Sequence, residues 1–500
     1  MDNTKQASTV IHKSLKLNRD YLDETLGVGK SFDIIAKEFH FDDHKAACYC
    51  VNGFFMTNGI FLLVRNIGKE IINFAKNNPS FEPNNLAEYL NTHISFVQVS
   101  LEKDMSKALT QILAGPMVWF LEGYDVAVVV DTRVYPARSP SESEVERVVR
   151  GPRDAYTETL ITNTALTRRR IRDPNLRMEI SQIGERSKTD ICISYIENLT
   201  NKDLVSRVKE RLKTITTDGI PMAEQSLDEY LVNSRWSSRW NPYPLVRYTE
   251  RPDIAANYLL QGHVVIFVDT TPEVIILPTT FFHHLHHPED YHMRPAVGTY
   301  MRWMILLAIL MSLFLPAVWL EFAMHPKFLP KWLWFIGPEK GSHHISLPWQ
   351  LLFVEIGLDI LRRAIINTPL ALASAIGLIA GIVFGQLTVK VGLISSEALV
   401  YIALATIGSF ATSSIELSNA NRMTRIALLI LVGFFHMYGL IAGILIWFIW
   451  MANVKTFGIP YLWPLFPFDW LGVKQILIRQ PAPAEMYRPK ILKTQDITKK

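Results

Sequence analysis

The densest chemistry in the sequence is a run of guanidinium groups. Arg147, Arg150, Arg153, Arg168, Arg169, Arg170 and Arg172, with Arg177 just beyond, sit among Glu146, Asp154, Glu158 and Asp173. Planar guanidinium forks pair bidentately with carboxylates and phosphates in a way that lysine does not. Such a segment either locks two subdomains or two subunits together, or reaches an anionic lipid surface. Nucleic acid is excluded as a partner, because no stacking aromatics are interleaved and no binding module is present. A formal net charge of +4 on 500 residues agrees that the whole chain is no polycation.

Three further patterns lie in the second half. Glu355 and Asp359 are four apart and share a face if that stretch is helical, with Arg362 and Arg363 close by. Carboxylates on the wall of a path attract cations, or else pair with those arginines. Thr406, Ser409, Ser413 and Glu416 recur at intervals of 3, 4 and 3. On one helix they form a polar stripe, either an ion pathway or a packing face. Ala373, Gly377, Gly381 and Gly385 recur every fourth residue and make a ridge that another helix can approach closely. His283, His284, His286, His287 and His292 are a local set without a tetrahedral ligand pattern, so no metal is expected there. His436 reads as a hydrogen-bonded structural histidine. No phosphate loop, nucleophile elbow or metalloprotease motif occurs, and neither an enzyme nor a cofactor is expected.

The elements that must position these residues divide sharply in kind. Residues 1–298 read as soluble α/β protein. Beyond them Trp303–Leu320 has no charge over 18 residues, Ala364–Val389 none over 26 and Ala398–Ile415 none over 18. Ile426–Val454 has none over 29, with His436 counted neutral. A bilayer core about 30 Å thick takes roughly 20 helical residues. The sequence therefore predicts spans near 301–321, 369–389, 395–415 and 426–450, with 348–365 a short re-entrant or interfacial helix because four charges interrupt it. The tail after Trp470 is basic, which places it on the cytoplasmic side. The opening residues lack the apolar stretch of a secretory signal, so the soluble half is expected in the cytoplasm too, and the number of crossings should be even. Three thiols without metal spacing suit a reducing compartment.

The soluble half contains a duplication. "ILAGPMVWFLEGYDVAVVVDT" (112–132) and "LLQGHVVIFVDTTPEVIILPT" (259–279) align at Gly115 and Gly262, which places Glu122 on Asp269 and Val128–Val130 on Ile275–Leu277. A helix ended by glycine and followed by two β-branched runs around an acidic turn is predicted in each. The expected order is an N-terminal segment 1–29, a first α/β subdomain 30–138, an arginine-rich linker 139–184, a second similar subdomain 185–298, a helical transmembrane domain 299–454 and a basic tail 455–500.

"EGYDVAVVVDTR" (122–133), "VERVVRGPRD" (145–154) and "RRRIRDPNL" (168–176) resemble, in order, signature stretches of the GerA family, the A subunits of bacterial spore germinant receptors. The resemblance extends over essentially the whole chain; Ala155-Tyr156 after the second stretch is a conservative departure. It implies a protein of the inner spore membrane that forms homo-oligomers, works beside other germination membrane proteins, and lines an ion path used during germination. A non-conducting scaffold is the alternative. Membrane lipids are the other expected partner.

Overall fold

The computed structural model describes residues 10–41, 44–55, 57–77, 83–93, 98–134, 150–232, 240–328, 345–484 and 486–499. These fall into two units. One comprises the described residues up to 232 together with 248–278 and 486–499; the other comprises 240–247 and 279–484.

The first unit contains two sheets of the same strand order. Helix α1 (Leu15–Leu26) precedes β1 (Ile34–Phe41) and β2 (His44–Val51). Then follow α2 (Thr57–Asn77), α3 (Pro83–His93), β3 (Val99–Glu102), α4 (Met105–Ala114), β4 (Met117–Leu121) and β5 (Ala127–Val130). The strands lie in the order β1-β2-β4-β5-β3, with antiparallel neighbours. The second sheet repeats this with α5 (Leu160–Arg170), β6 (Leu176–Ile183), β7 (Thr189–Ile196), α6 (Lys202–Lys213), α7 (Ala223–Val232), β8 (Arg247–Thr249), α8 (Pro252–Gln261), β9 (Val264–Val268) and β10 (Val274–Leu277). Its order is β6-β7-β9-β10-β8.

Strand periodicity explains the layering of the first sheet. Ala47, Tyr49, Val51, Val118 and Phe120 face α1 and α4, while Ala46, Cys48, Cys50, Met117, Trp119 and Leu121 face α2 and α3. A sheet covered on both faces has continuous apolar strands, which is why β4 and β5 read as uninterrupted runs. The three cysteines are buried free thiols, Cys48 and Cys50 in this sheet and Cys192 on β7 of the second.

The duplication extends to details of capping. Gly115 and Gly262 both end their helices in the left-handed region, φ 112° and 98°. Glu122 Oε2 accepts from Leu15 N at 2.9 Å, and Asp269 Oδ1 accepts from Leu160 N at 3.0 Å. Each acidic turn thus holds the first N–H of the helix that opens its own subdomain. Two expected boundaries shift as a result. Helix α1 packs into the first core, so residues 10–29 of the segment expected at 1–29 are not separate from it; residues 1–9 lie outside the described residues. Helix α5 and β6 belong to the second sheet, so the linker expected at 139–184 ends where α5 begins; its earlier residues to 149 lie outside the described residues.

The second unit is a helical bundle: α9 (Pro295–Met324), α10 (Leu347–Ile366), α11 (Leu370–Ile382, continued by a π turn to Leu387 and a last turn to Lys390), α12 (Ser396–Phe410), α13 (Ile415–Asn453) and α14 (Trp470–Leu477). Among the described residues three helices, Pro295–Met324, Leu372–Lys390 and Ile415–Asn453, are long and apolar enough to cross a membrane. Helix α12, expected to span over 395–415, has 15 residues. At about 1.5 Å per residue it falls short of a 30 Å core.

The longest helix is not straight. His436 has φ 52° and ψ −134°, and there α13 folds back on itself. Tyr243 Oη lies 3.0 Å from Thr424 Oγ1 and 2.7 Å from Trp447 Nε1. A Cβ built on Gly443 would stand 2.5 Å from Leu428 Cδ2, and one on Gly439 would strike the Leu431 carbonyl. The pairs 424/447, 428/443 and 431/439 face one another, as in a helical hairpin with its tip at Phe435–His436. The span expected at 426–450 is therefore two antiparallel arms. Helix α10, expected as a re-entrant or interfacial piece, is a full helix of the bundle.

The segments alternate in direction. Trp319 stacks on Tyr401, with centroids 4.6 Å apart, and Gly408 leaves room for the Ala308 carbonyl, so α9 and α12 run antiparallel. The chain leaves α10 at Ile366 and by Ser395 is back at Gln350, whose Oε1 accepts from Ser395 N at 2.7 Å. Residues 279–302 and 455–484 meet at one end of the bundle, through Phe281 N to Tyr461 O at 2.9 Å and Arg302 to Gln475 O at 2.9 Å. The basic tail divides: residues 486–499 lie on the first unit, where Arg488 donates to Leu260 O and Gln495 to Glu197 O and Thr200 O.

Candidate functional site

The bundle has a charged centre. Arg425, on the first arm of α13, and Glu355, on α10, are each 1% exposed and meet at 2.7 Å, with a second contact of 2.9 Å from Nη2. Arg425 Nη1 also donates to the Ser312 carbonyl of α9 at 2.6 Å and reaches the Ala405 carbonyl of α12 at 3.5 Å. One guanidinium therefore joins four segments, using the donors that a fork-shaped cation supplies. One turn along, Asp359 pairs with Arg422 at 2.9 Å. Spacing of four on α10 meets spacing of three on α13, so both rungs form together. Arg362 lies over the Phe410 ring at 4.8 Å instead of pairing with Glu355.

Both carboxylates singled out from sequence thus share one face of α10, but each is held by an arginine that sequence reasoning passed over. The signal was present in "NRMTR" (421–425), just ahead of the uncharged run. The hydroxyl stripe does not form as expected. Helix α12 stops at Phe410, and Thr412–Ser414 connect it to α13. Thr406 and Ser409 lie on one helix, Glu416 on the next and Ser413 between them. Hydroxyls in such a segment compete for backbone groups, and here they make caps and ties. Ser414 Oγ accepts from Leu417 N at 3.2 Å, Ser413 Oγ donates to the His284 carbonyl at 2.7 Å, and Ser409 Oγ lies 2.6 Å from Ser418 Oγ.

The ridge of Ala373, Gly377, Gly381 and Gly385 lies on α11, and no described residue of Leu372–Lys390 is buried. A Cβ at Gly377, Gly381 or Gly385 would meet nothing within 4 Å among the described residues. The π turn at Val383–Leu387 advances the helix there, so Gly385 drifts off the line of the other three.

The histidine stretch before α9 is a strap. Arg247 donates to the carbonyls of His283 and His286. His283 Nδ1 accepts from Thr280 N at 3.1 Å, and His287 Nδ1 from Glu289 N at 3.3 Å. Burial, with Arg247 nearby, pushes the His284 imidazole down to about 3, and burial with Arg302 and Arg247 lowers His286 as well. Burial raises the Asp290 carboxyl to about 6 although Arg302 stands 3.8 Å away.

In the first unit the arginines of the opening motif differ among themselves. Arg168 Nε donates to Asp33 Oδ2 at 2.7 Å, with both side chains 1% exposed, and Nη2 donates to the Leu176 carbonyl at 2.9 Å. Asp33 lies just before β1, so the contact connects the two sheets; Phe32 N to Met178 O at 3.0 Å runs beside it. Arg170 Nη2 donates to both carboxylate oxygens of Asp154, at 2.7 and 2.8 Å. Arg177, 5% exposed, pairs with Glu197 at 2.7 Å. Arg150, Arg153, Arg169 and Arg172 are exposed, and Arg147 lies outside the described residues.

Comparison with known proteins places these features in a family. The Bacillus/Clostridium GerA spore germination protein family matches residues 20–491. The chain is 42% identical over 493 residues to stage V sporulation protein AF of Bacillus subtilis, covering 98% of each. It is 30% identical over 476 residues to spore germination protein KA of the same organism, covering 94% of this chain and 85% of that one. A crystal structure of the N-terminal domain of the A subunit of a Bacillus megaterium spore germinant receptor superimposes with a TM-score of 0.42 and 26% identity, over 55% of this chain and 99% of that one. With its apolar helices the chain is a membrane protein carrying an N-terminal α/β domain. It belongs to the GerA family of spore germination proteins.

Proposed function

We propose that this chain is a membrane subunit of a spore germination complex which assembles with copies of itself and conducts ions when the spore germinates. The observation that carries the reading is α11. It is an apolar helix long enough to span, with no described residue buried and a glycine ridge that no described residue approaches. In a bilayer, close backbone approach at small residues is a main source of helix association, so this ridge suits a neighbouring copy. The bundle lies in the inner spore membrane and the α/β half in the cytoplasm. Residues 486–499, which carry Arg488, Lys490, Lys493 and Lys499, pack with that half, and a basic segment favours the cytoplasmic side. Other germination membrane proteins and anionic lipids are its partners. Arg168 with Asp33 ties together the two sheets that present its cytoplasmic surface.

The test is reconstitution of the full chain in liposomes, with K⁺ and Na⁺ efflux recorded alone and with germination membrane proteins, and oligomeric state measured in the same preparation. Efflux that Gly381→Leu reduces together with oligomer content is the expected result. A second reading, a non-conducting scaffold, is favoured by the pairing of Glu355 and Asp359 with Arg425 and Arg422, which leaves neither carboxylate free for a passing cation. Oligomers that pass no ions with every partner tried would establish the scaffold and remove the channel.

A further inference from the structure

At the end of the bundle away from Pro295, the last turn of α9 and the tip of the α13 hairpin bring three metal-ligating side chains together. Glu321 and His325 are four apart on α9 and its C-cap, hence on one face. His436 comes from the reversal point. One ligand atom from each lies within 4.8 Å of the other two. Glu321 Oε1 is 2.9 Å from His325 Nδ1, and the two imidazoles stand edge to face with centroids 4.9 Å apart.

Glu321 is the informative residue. Its side chain is 0% exposed, and among the described residues neither carboxylate oxygen accepts a hydrogen bond. An ionised carboxylate shut away from water needs compensation by a cation or by donors. The His325 ring, 2.9 Å away, answers part of that need, but it leaves unexplained why a second imidazole, on a different helix, stands beside the same carboxylate.

We propose that Glu321, His325 and His436 form a binding site for a zinc ion or another first-row divalent transition ion, which staples the α13 hairpin tip to the end of α9. Two neutral imidazoles and one carboxylate are a recurrent three-ligand set for zinc, with a fourth position left for water. Ligand atoms about 2.0–2.1 Å from zinc stand about 3.3 Å apart in a tetrahedron. The Glu321–His325 pair is already within that separation, and His436 is exposed, so its ring is the one that closes in. The site does not depend on whether the bundle conducts ions.

The experiment uses the full chain, purified in detergent without chelating tags, loaded with Zn²⁺, dialysed and analysed for metal per chain. Co²⁺ substitution reports coordination geometry through its visible bands. One tightly held Zn²⁺ per chain is expected, with at least a tenfold loss of affinity in His436→Gln and in Glu321→Gln. His436→Gln removes an exposed side chain from the tip, and circular dichroism of each variant ensures that zinc loss is read on folded protein. A folded wild-type chain that retains no zinc, or a His436→Gln variant that binds as tightly as wild type, overturns the proposal. So does a thermal stability that falls in His325→Gln, stays unchanged in His436→Gln and ignores added metal, because that pattern describes an ion pair alone.

Discussion

Two guanidinium–carboxylate pairs, one in each unit, are equally sealed from solvent. Arg168–Asp33 and Arg425–Glu355 both meet at 2.7 Å with every side chain 1% exposed. They differ in what surrounds them. Arg168 lies between two sheets and spends its remaining donors on the carbonyls of Asp173 and Leu176, in the loop and strand that directly follow its own helix. Arg425 spends its remaining donors on other helices, at Ser312 and Ala405. The first pair fastens two sheets; the second joins four helical segments of the bundle at one guanidinium. Association of helices in lipid lacks the hydrophobic drive that water supplies, so a polar tie carries a larger share of the specificity there.

The largest effect should follow from breaking the bundle pair on one side. Arg425→Met leaves Glu355 buried without its partner and strips a donor from carbonyls on two further helices. A loss of about 3–5 kcal/mol is expected for a buried pair cut in this way. It should show as loss of the cooperative thermal transition of the bundle in detergent. Arg425→Met combined with Glu355→Met should recover much of it. A single variant that melts like wild type would remove the central role assigned to this pair.

Arg168→Met comes next, with a similar intrinsic penalty and a more local consequence. Each sheet keeps its own core, so the expected change is faster proteolysis and hydrogen exchange at 30–33 and 174–178, with the interiors of β4 and β9 still protected. Uniform loss of protection in both sheets would mean that the pair supports the folding of the domains rather than their attachment. Asp33→Asn should resemble Arg168→Met, since either change leaves one buried polar partner unmatched.

How far these features could be read in advance differs in the same way. The duplicated sheets were legible because glycine caps, alternating strands and acidic turns are local signals. That the arginine cluster holds domains was a natural reading, but which arginine enters the core was not. Arg168, Arg169 and Arg170 are neighbours in sequence, and only the helical phase of α5, set by packing of Leu160, Thr164 and Thr167, turns Arg168 inward. Its partner lies 135 residues away, beyond any local pattern. In the bundle, the uncharged stretch 426–454 reads as one span, and its reversal at His436 depends on a single backbone conformation. The excess of that stretch over the roughly 20 residues a span requires was the available hint. The hydroxyl stripe misled because a period continued across a helix end is no longer a face.

A third buried ionisable group in the first unit takes the opposite course, and it offers the smallest and cleanest measurement. His263, between α8 and β9, is completely buried, with Nδ1 3.2 Å from the Tyr258 carbonyl and its ring edge-on to the Tyr258 ring. Burial pushes its pKa from 6.5 down to about 3, only partly offset by that carbonyl. The folded chain keeps the ring neutral, whereas the unfolded chain takes up a proton below about 6.5. Between those values the unfolded state binds more protons, so stability rises with pH there and is lost as pH falls from 6.5 toward 3. The size is on the order of a few kcal/mol across the whole window. His263→Gln should therefore flatten the pH dependence of first-unit unfolding between pH 7 and 5. A slope that survives unchanged in His263→Gln would mean that some group other than this imidazole sets the acid sensitivity of this half of the protein.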